Sequence, residues 1–270
     1  MQSIFQQPLN WWQGAVAIAR DRYPSLQEAG LRSELEGLSR SGSHERLDGY
    51  SVRQQVDIMA RLFGDELGFR GDRDSYYDPR NSYINDVLSR RVGIPISLSL
   101  VYCELARSLG VRAQGVSFPG HFLVRVSDAG GRDVRIVDPF YGGMLLDDAA
   151  LGVRVAEASG GEPVPLDAST LEPASIHSIL LRMLGNLTEI HRSRGDHSGL
   201  LLVLDRTLEL DSARPAIRRE RGLAAMRLGA NEVAIADLAY YVQSVPEAGD
   251  VLQVRAVLEQ LRGRRHPGLN

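Results

Sequence analysis

The spacing of apolar residues changes along the chain and predicts two kinds of structure in its first half. Up to about residue 109, apolar positions such as Val52, Val56 and Met59 recur at the three- and four-residue steps of amphipathic helices. After Gly110, the segments VRAQGVSF, HFLVRVS and DVRIVDPF are short and rich in valine, isoleucine and phenylalanine, which predicts strands. SDAGGRD between the second and third segments indicates a hairpin turn. Helices followed by a small antiparallel sheet favour an α+β fold.

A second helical region follows a stretch rich in glycine and proline. That stretch has no periodic apolar pattern and predicts a linker at 161–173, between a first domain over 1–160 and a helical domain over 174–270. In the helical domain, RSRGDHSGLLLVLDRTLELD and MRLGANEVAIADLAYYVQSV superpose with Gly195 on Gly229, a period of 34 residues. The period and the matched apolar positions resemble tetratricopeptide-type helical hairpins.

Composition narrows the function classes. The 270 residues carry 31 basic and 34 acidic side chains, a net charge of −3, which gives no strong electrostatic case for nucleic acid or an anionic membrane as partner. Apolar runs are too short to span a bilayer, and the start MQSIFQQPLNWWQ lacks the basic residues of a signal peptide, so a soluble cytoplasmic protein is expected. With Cys103 as its single cysteine, the chain can form no internal disulfide, and we expect neither metal nor cofactor.

Candidate chemistry is concentrated between residues 76 and 143. Pro95 suits the first turn of a helix, which places Ser97 among free backbone N–H groups that favour a developing oxyanion. His121 opens one predicted strand and Asp138 ends the next. His121 could therefore act as a base that Asp138 orients, and the three residues are the candidate catalytic set.

The order of helix, histidine strand and aspartate strand is that of papain-like and transglutaminase-like proteins. The segments NSYINDVLSRRVGIPISLSLVY, FPGHFLVR and VDPFYGG further resemble the SirB1 family of bacterial proteins. That resemblance implies a transglutaminase-like domain followed by tetratricopeptide-like helices over nearly the whole chain. His121 and Asp138 match the second and third triad positions of the family.

The nucleophile position departs from the pattern of active enzymes. Active transglutaminase-like proteins carry a cysteine at the start of the central helix, whereas counting back from Gly110 places that position at Pro95, with no cysteine nearby. Ser97 is the nearest hydroxyl, and a serine is a poor nucleophile unless its base is well placed. We expect Cys103 to lie in the core as a small apolar residue.

Two functions are therefore predicted as alternatives. The first is a protein- or peptide-binding module, a degenerate transglutaminase-like fold that binds its partner through its cleft and helical repeats. The second is an acyl-transfer enzyme, a hydrolase or peptidase-like catalyst that uses Ser97, His121 and Asp138. The missing cysteine favours the first, and the retained histidine and aspartate keep the second open.

Overall fold

The computed structural model describes residues 5, 10–41, 46–158 and 168–264. The helices in this part of the chain are α1 (Trp11–Arg22), α2 (Glu28–Ser41), α3 (Val52–Ala60), α4 (Ile84–Arg90), α5 (Pro95–Ser108), α6 (Asp148–Ala158), α7 (Ile176–Ser193), α8 (His197–Leu210), α9 (Pro215–Arg227), α10 (Asn231–Ser244) and α11 (Val251–Arg264). The strands are β1 (Arg70–Gly71), β2 (Val92–Gly93), β3 (Arg112–Val116), β4 (Leu123–Ser127), β5 (Val134–Asp138) and β6 (Met144–Leu146).

These elements divide into two compact units. One spans residues 6–183, and the other is formed mainly by residues 184–270. Of α7, residues 176–183 belong to the first unit and the remainder to the second. The linker predicted at 161–173 lies outside the described residues up to residue 167, and Ala168–Leu171 forms a short 3-10 helix.

Helix α5 is the central element of the first unit. Its residues from Pro95 to Ala106 are all buried, because the side chains of PISLSLVYCELA are apolar or small except Glu104, which pairs with Arg107. Pro95 occupies the first turn, as predicted, where its missing N–H has no helical partner to lose. This buried helix forms the centre of the core, and strands β3 and β4 pack against it.

The main sheet of the first unit has four antiparallel strands in the order β3-β4-β5-β6. The predicted hairpin joins β4 to β5, with Ser127 opposite Val134, and the Asp128 carboxylate accepts hydrogen bonds from the backbone N–H groups of Arg132 and Asp133. Three of the four strands were predicted, and β6 was missed. The α+β fold expected from the apolar pattern is confirmed.

A second, two-residue parallel sheet pairs β1 with β2 and brings distant loops together. Just before β1, helix α3 continues as a π-helical segment, Arg61–Glu66, in which the backbone N–H of Leu67 donates to the carbonyl of Leu62 at 2.9 Å. At Gly71 a side chain is excluded, since a Cβ atom there would lie 2.4 Å from the Phe140 ring. Phe140 therefore packs directly on the backbone of β1.

In the second unit, α8 to α11 each pack against the next helix. Gly195 and Gly229, the superposed glycines, both have positive φ (66° and 74°), which ends α7 and α9 at equivalent positions. Leu204 and its match Leu238 are both fully buried. The predicted tetratricopeptide-like helical region is thereby confirmed.

Candidate functional site

A tight turn places His121 at the start of β4. The backbone N–H of His121 donates to the carbonyl of Phe118 at 3.1 Å, which closes a four-residue turn. Pro119 supplies the fixed φ of the second position and Gly120 the positive φ (63°) of the third. The sequence FPGH is therefore a turn that fixes the backbone of the histidine.

Asp138 ends the neighbouring strand and is fully buried. In the antiparallel register Val124 lies opposite Val137, so the start of β4 meets the end of β5. The Asp138 carboxylate accepts a hydrogen bond from the backbone N–H of Phe140 at 3.0 Å, which caps the 3-10 helix Pro139–Tyr141. Its side chain has 0% exposure, so the carboxylate depends on protein partners for compensation.

The structure brings His121 and Asp138 together. Nε2 of His121 lies 3.0 Å from Oδ1 and 2.9 Å from Oδ2 of Asp138. With an ionised carboxylate as partner, Nε2 carries the proton and donates it. Nδ1 then has no hydrogen-bond partner among the described residues and remains available as an acceptor.

Ser97 is not brought to this pair. Its hydroxyl donates to the carbonyl of Asn81 at 2.6 Å and accepts from the backbone N–H of Ile94 at 3.1 Å. Ser97 is fully buried, and none of its hydrogen bonds within the described part of the chain reaches His121. The hydroxyl closes the N-terminus of α5, so the predicted set of three residues is assembled only in its histidine and aspartate.

Arg154, which the sequence did not indicate, completes the surroundings of Asp138. Its Nη2 atom lies 2.8 Å from Oδ2 of Asp138, and its guanidinium lies over the Tyr141 ring at 4.9 Å. Arg73 approaches the same ring at 4.6 Å. The carboxylate thus joins an imidazole and a guanidinium, and Tyr141 lies near two cationic groups.

Cys103 lies in the core, as expected. It is buried within α5, and desolvation raises the pKa of its thiol. Because the thiolate is the reactive form, we expect iodoacetamide to modify the native protein slowly and the urea-unfolded protein quickly, with mass spectrometry as the measurement. Rapid modification of the folded protein would contradict this placement of Cys103.

A cavity of about 1020 Å³ lies next to the histidine pair. We call it the arginine cavity, and the residues that define it are Arg61, Arg70, Arg73, Arg90, Phe140 and Tyr141. His121 and Asp138 do not line it. Phe140 connects the two places, since its ring also contacts the His121 ring edge-to-face, with centroids 5.9 Å apart.

The described ranges contain neither a metal-binding cluster nor a membrane-spanning helix. There, no three histidine, cysteine, aspartate or glutamate side chains lie close enough to hold a metal ion. No helix of the described residues combines the length and the apolar character needed to cross a membrane.

Comparison with known protein families agrees with the two-unit organisation. Residues 29–185 match the model of a transglutaminase-like superfamily, and residues 187–259 match a tetratricopeptide repeat.

Individual relatives cover either most of the chain or a little over half of it. A UPF0162 protein of Xylella fastidiosa strain 9a5c is 40% identical over 255 residues, which are 93% of this chain and 89% of that protein. A UPF0162 protein of Vibrio cholerae is 28% identical over 234 residues, 87% of this chain and 86% of that protein. Human F-box only protein 21 is 37% identical over 153 residues, which are 56% of this chain and 24% of that protein.

Proposed function

We propose that this chain, which belongs to the transglutaminase-like superfamily, is a protein- or peptide-binding module of the SirB1 type rather than an acyl-transfer catalyst. Its tetratricopeptide region fits the same conclusion, because stacked helical repeats form extended binding surfaces. In this proposal the surface beside His121 recognises a ligand and does not cleave it.

The observation that carries the proposal is an assembled base without a nucleophile. Covalent acyl transfer requires a thiol or hydroxyl within hydrogen-bond reach of the imidazole. Neither a thiol nor a hydroxyl forms such a bond to His121 in the described part of the chain, because Cys103 is in the core and Ser97 bonds to Asn81. Among the described residues, the imidazole therefore has an orienting carboxylate but no thiol or hydroxyl bonded to it that it could deprotonate.

One observation favours the second candidate, a serine-dependent hydrolase. Nε2 of His121 is held by Asp138, which leaves Nδ1 as a free acceptor, as a general base requires. For Ser97 to serve that base, its hydroxyl would have to leave the Asn81 carbonyl and uncap α5. That requirement is why we rank catalysis second.

Turnover measurements decide between the two. Ester and peptide-amide substrates are presented to wild type, Ser97→Ala, His121→Ala and the control His177→Ala, whose histidine is exposed on α7. We expect all four proteins to hydrolyse no faster than buffer, because no thiol or hydroxyl of the described residues is hydrogen-bonded to His121. Hydrolysis by wild type and His177→Ala that is lost in Ser97→Ala and His121→Ala would contradict the proposal and establish a serine enzyme.

A further inference from the structure

The charges that line the arginine cavity are only partly compensated. The charges of Asp72 and Arg90 compensate each other. The Asp72 carboxylate accepts hydrogen bonds from Asn81 Nδ2 at 3.0 Å and from the backbone N–H of Ser75 at 2.8 Å, and it lies 3.8 Å from the Arg90 guanidinium. Arg90 also donates to Asn81 Oδ1 at 3.0 Å. These groups satisfy one another and offer little to a ligand.

Three other arginines of the cavity have no acidic partner. Arg61, Arg70 and Arg73 are exposed, and no carboxylate of the described residues forms an ion pair with them. Because the chain contains no lysine, every strongly basic side chain is an arginine, and a group of arginines does not by itself indicate an anion site. The lack of acidic partners for these three arginines is what indicates one. Asp65 and Asp74 are the unpaired acids of the same lining, so the three unpaired arginines exceed them by one positive charge.

Apolar side chains lie beside these arginines and reach solvent. Tyr141 is 40% exposed and Met144 is 44% exposed, and both line the cavity with Phe140. Aromatic residues, methionine and arginine are enriched at the centres of protein interfaces. The lining therefore combines anion-binding groups with an apolar surface.

The backbone of the cavity wall also departs from regular structure. Arg61, Gly64 and Asp65 lie on the π-helical segment Arg61–Glu66, and such segments are frequent at functional sites. The extra residue per turn lets Gly64 approach the backbone of Gly142, where a Cβ atom would lie 2.9 Å from the Gly142 carbonyl oxygen. The segment therefore packs on the loop that carries Tyr141, and Arg61 and Tyr141 line the same cavity.

We propose that the arginine cavity binds an acidic peptide segment of a partner protein. Carboxylates of the peptide would pair with Arg61, Arg70 and Arg73, and an apolar side chain between them would pack on Tyr141 and Met144. The proposal deepens the binding function proposed above, and rests on it, by assigning a site and a ligand chemistry to it.

The size and openness of the cavity favour a peptide over an enclosed metabolite. Its volume of about 1020 Å³ is at the upper end of small-ligand sites. Arg61, Arg70, Arg73 and Tyr141 are all exposed, so the lining reaches solvent at several places, as a chain that enters and leaves requires. Guanidinium groups bind carboxylates through paired hydrogen bonds, which gives the acidic side chains defined positions.

The test measures binding to the full chain by fluorescence anisotropy. The probes are a short fluorescein-labelled peptide of alternating glutamate and leucine and a matched peptide with glutamine for each glutamate. We expect the glutamate peptide to bind about tenfold more tightly, with the difference shrinking as salt is added. Equal affinities, or no binding of the glutamate peptide, would overturn the proposal.

Variants assign the binding to the cavity. Arg70→Gln and Arg73→Gln should each weaken the glutamate peptide about tenfold, because each removes a charge-assisted pair. The control Arg112→Gln removes an exposed arginine of β3 outside the cavity and should change affinity less than about twofold. Thermal melting of all three verifies folding, and an equal effect of Arg70→Gln and Arg112→Gln contradicts the proposed site.

Inorganic phosphate distinguishes a small anion from a peptide. If phosphate displaces the glutamate peptide and sodium chloride of the same ionic strength does not, the cavity binds a small phosphorylated ligand. That result would overturn the proposal. Hydrolysis of an ester by wild type would contradict the proposed binding function but would leave the measured peptide affinities unchanged. The two proposals therefore fail by different measurements.

Discussion

Replacing Asp138 by alanine is expected to lower the free energy of unfolding by about 3 to 5 kcal/mol. The carboxylate is fully buried and lies 2.8 Å from Arg154 and 2.9 Å from His121. Its removal leaves the largely buried guanidinium without a counter-charge and the Phe140 N–H without an acceptor. Urea denaturation followed by circular dichroism measures the change.

Two variants make that result specific. Asp138→Asn keeps an oxygen that can accept from Phe140 and should cost less stability than alanine. Asp133→Ala removes an aspartate of the same hairpin whose pair with Arg135, at 2.9 Å, is partly exposed, so it should cost about 1 kcal/mol or less. Equal losses for Asp138→Ala and Asp133→Ala would show that the buried cluster contributes no special stability.

The second large loss of stability is expected from substitutions where α1 packs against the start of α7. Leu180 is fully buried, and a Cβ atom built on Gly14 would lie 2.6 Å from its methyl groups. Leu180→Ala should therefore lower the free energy of unfolding by about 2 to 5 kcal/mol through lost packing. Gly14→Ala should lower it by about 1 to 3 kcal/mol, because the added methyl displaces Leu180.

A double-mutant cycle tests that contact directly. In Gly14→Ala/Leu180→Ala the new methyl enters the space that leucine vacates, so the combined loss should be smaller than the sum of the single losses. Gly37→Ala is the matched control, since it lies exposed on α2 with nothing within 4 Å of the built Cβ and should stabilise by about 0.5 to 1 kcal/mol. Simple additivity in the cycle would mean that α7 does not pack on α1.

Elements with strong local patterns could be predicted from the sequence. The start of α5 follows from Pro95, and the β4–β5 hairpin follows from two valine-rich runs around a glycine turn. Strand β6 has only three residues, and β1 and β2 have two each, so none shows an alternation that can be recognised. Those strands depend on tertiary pairing rather than on local propensity.

Some residues of the candidate site could be predicted from the sequence and others could not. His121 and Asp138 were predicted together because both stand at strand ends that an antiparallel pair brings to one edge. Arg154 could not be found, since α6 lies beyond the sheet and no spacing rule relates it to Asp138. Ser97 was placed correctly at the start of α5, but the sequence does not show that its hydroxyl bonds to the Asn81 carbonyl.

Phe140 contacts both the lining of the arginine cavity and the histidine pair. Its ring packs on the glycine backbone of β1 at one side and meets the His121 ring at the other, while its N–H is bonded to Asp138. A molecule pressed against this phenylalanine would change the magnetic surroundings of the imidazole protons without touching them. Nuclear magnetic resonance signals of His121 thus report occupancy of a space that His121 does not line, and a shift in them is no proof of contact.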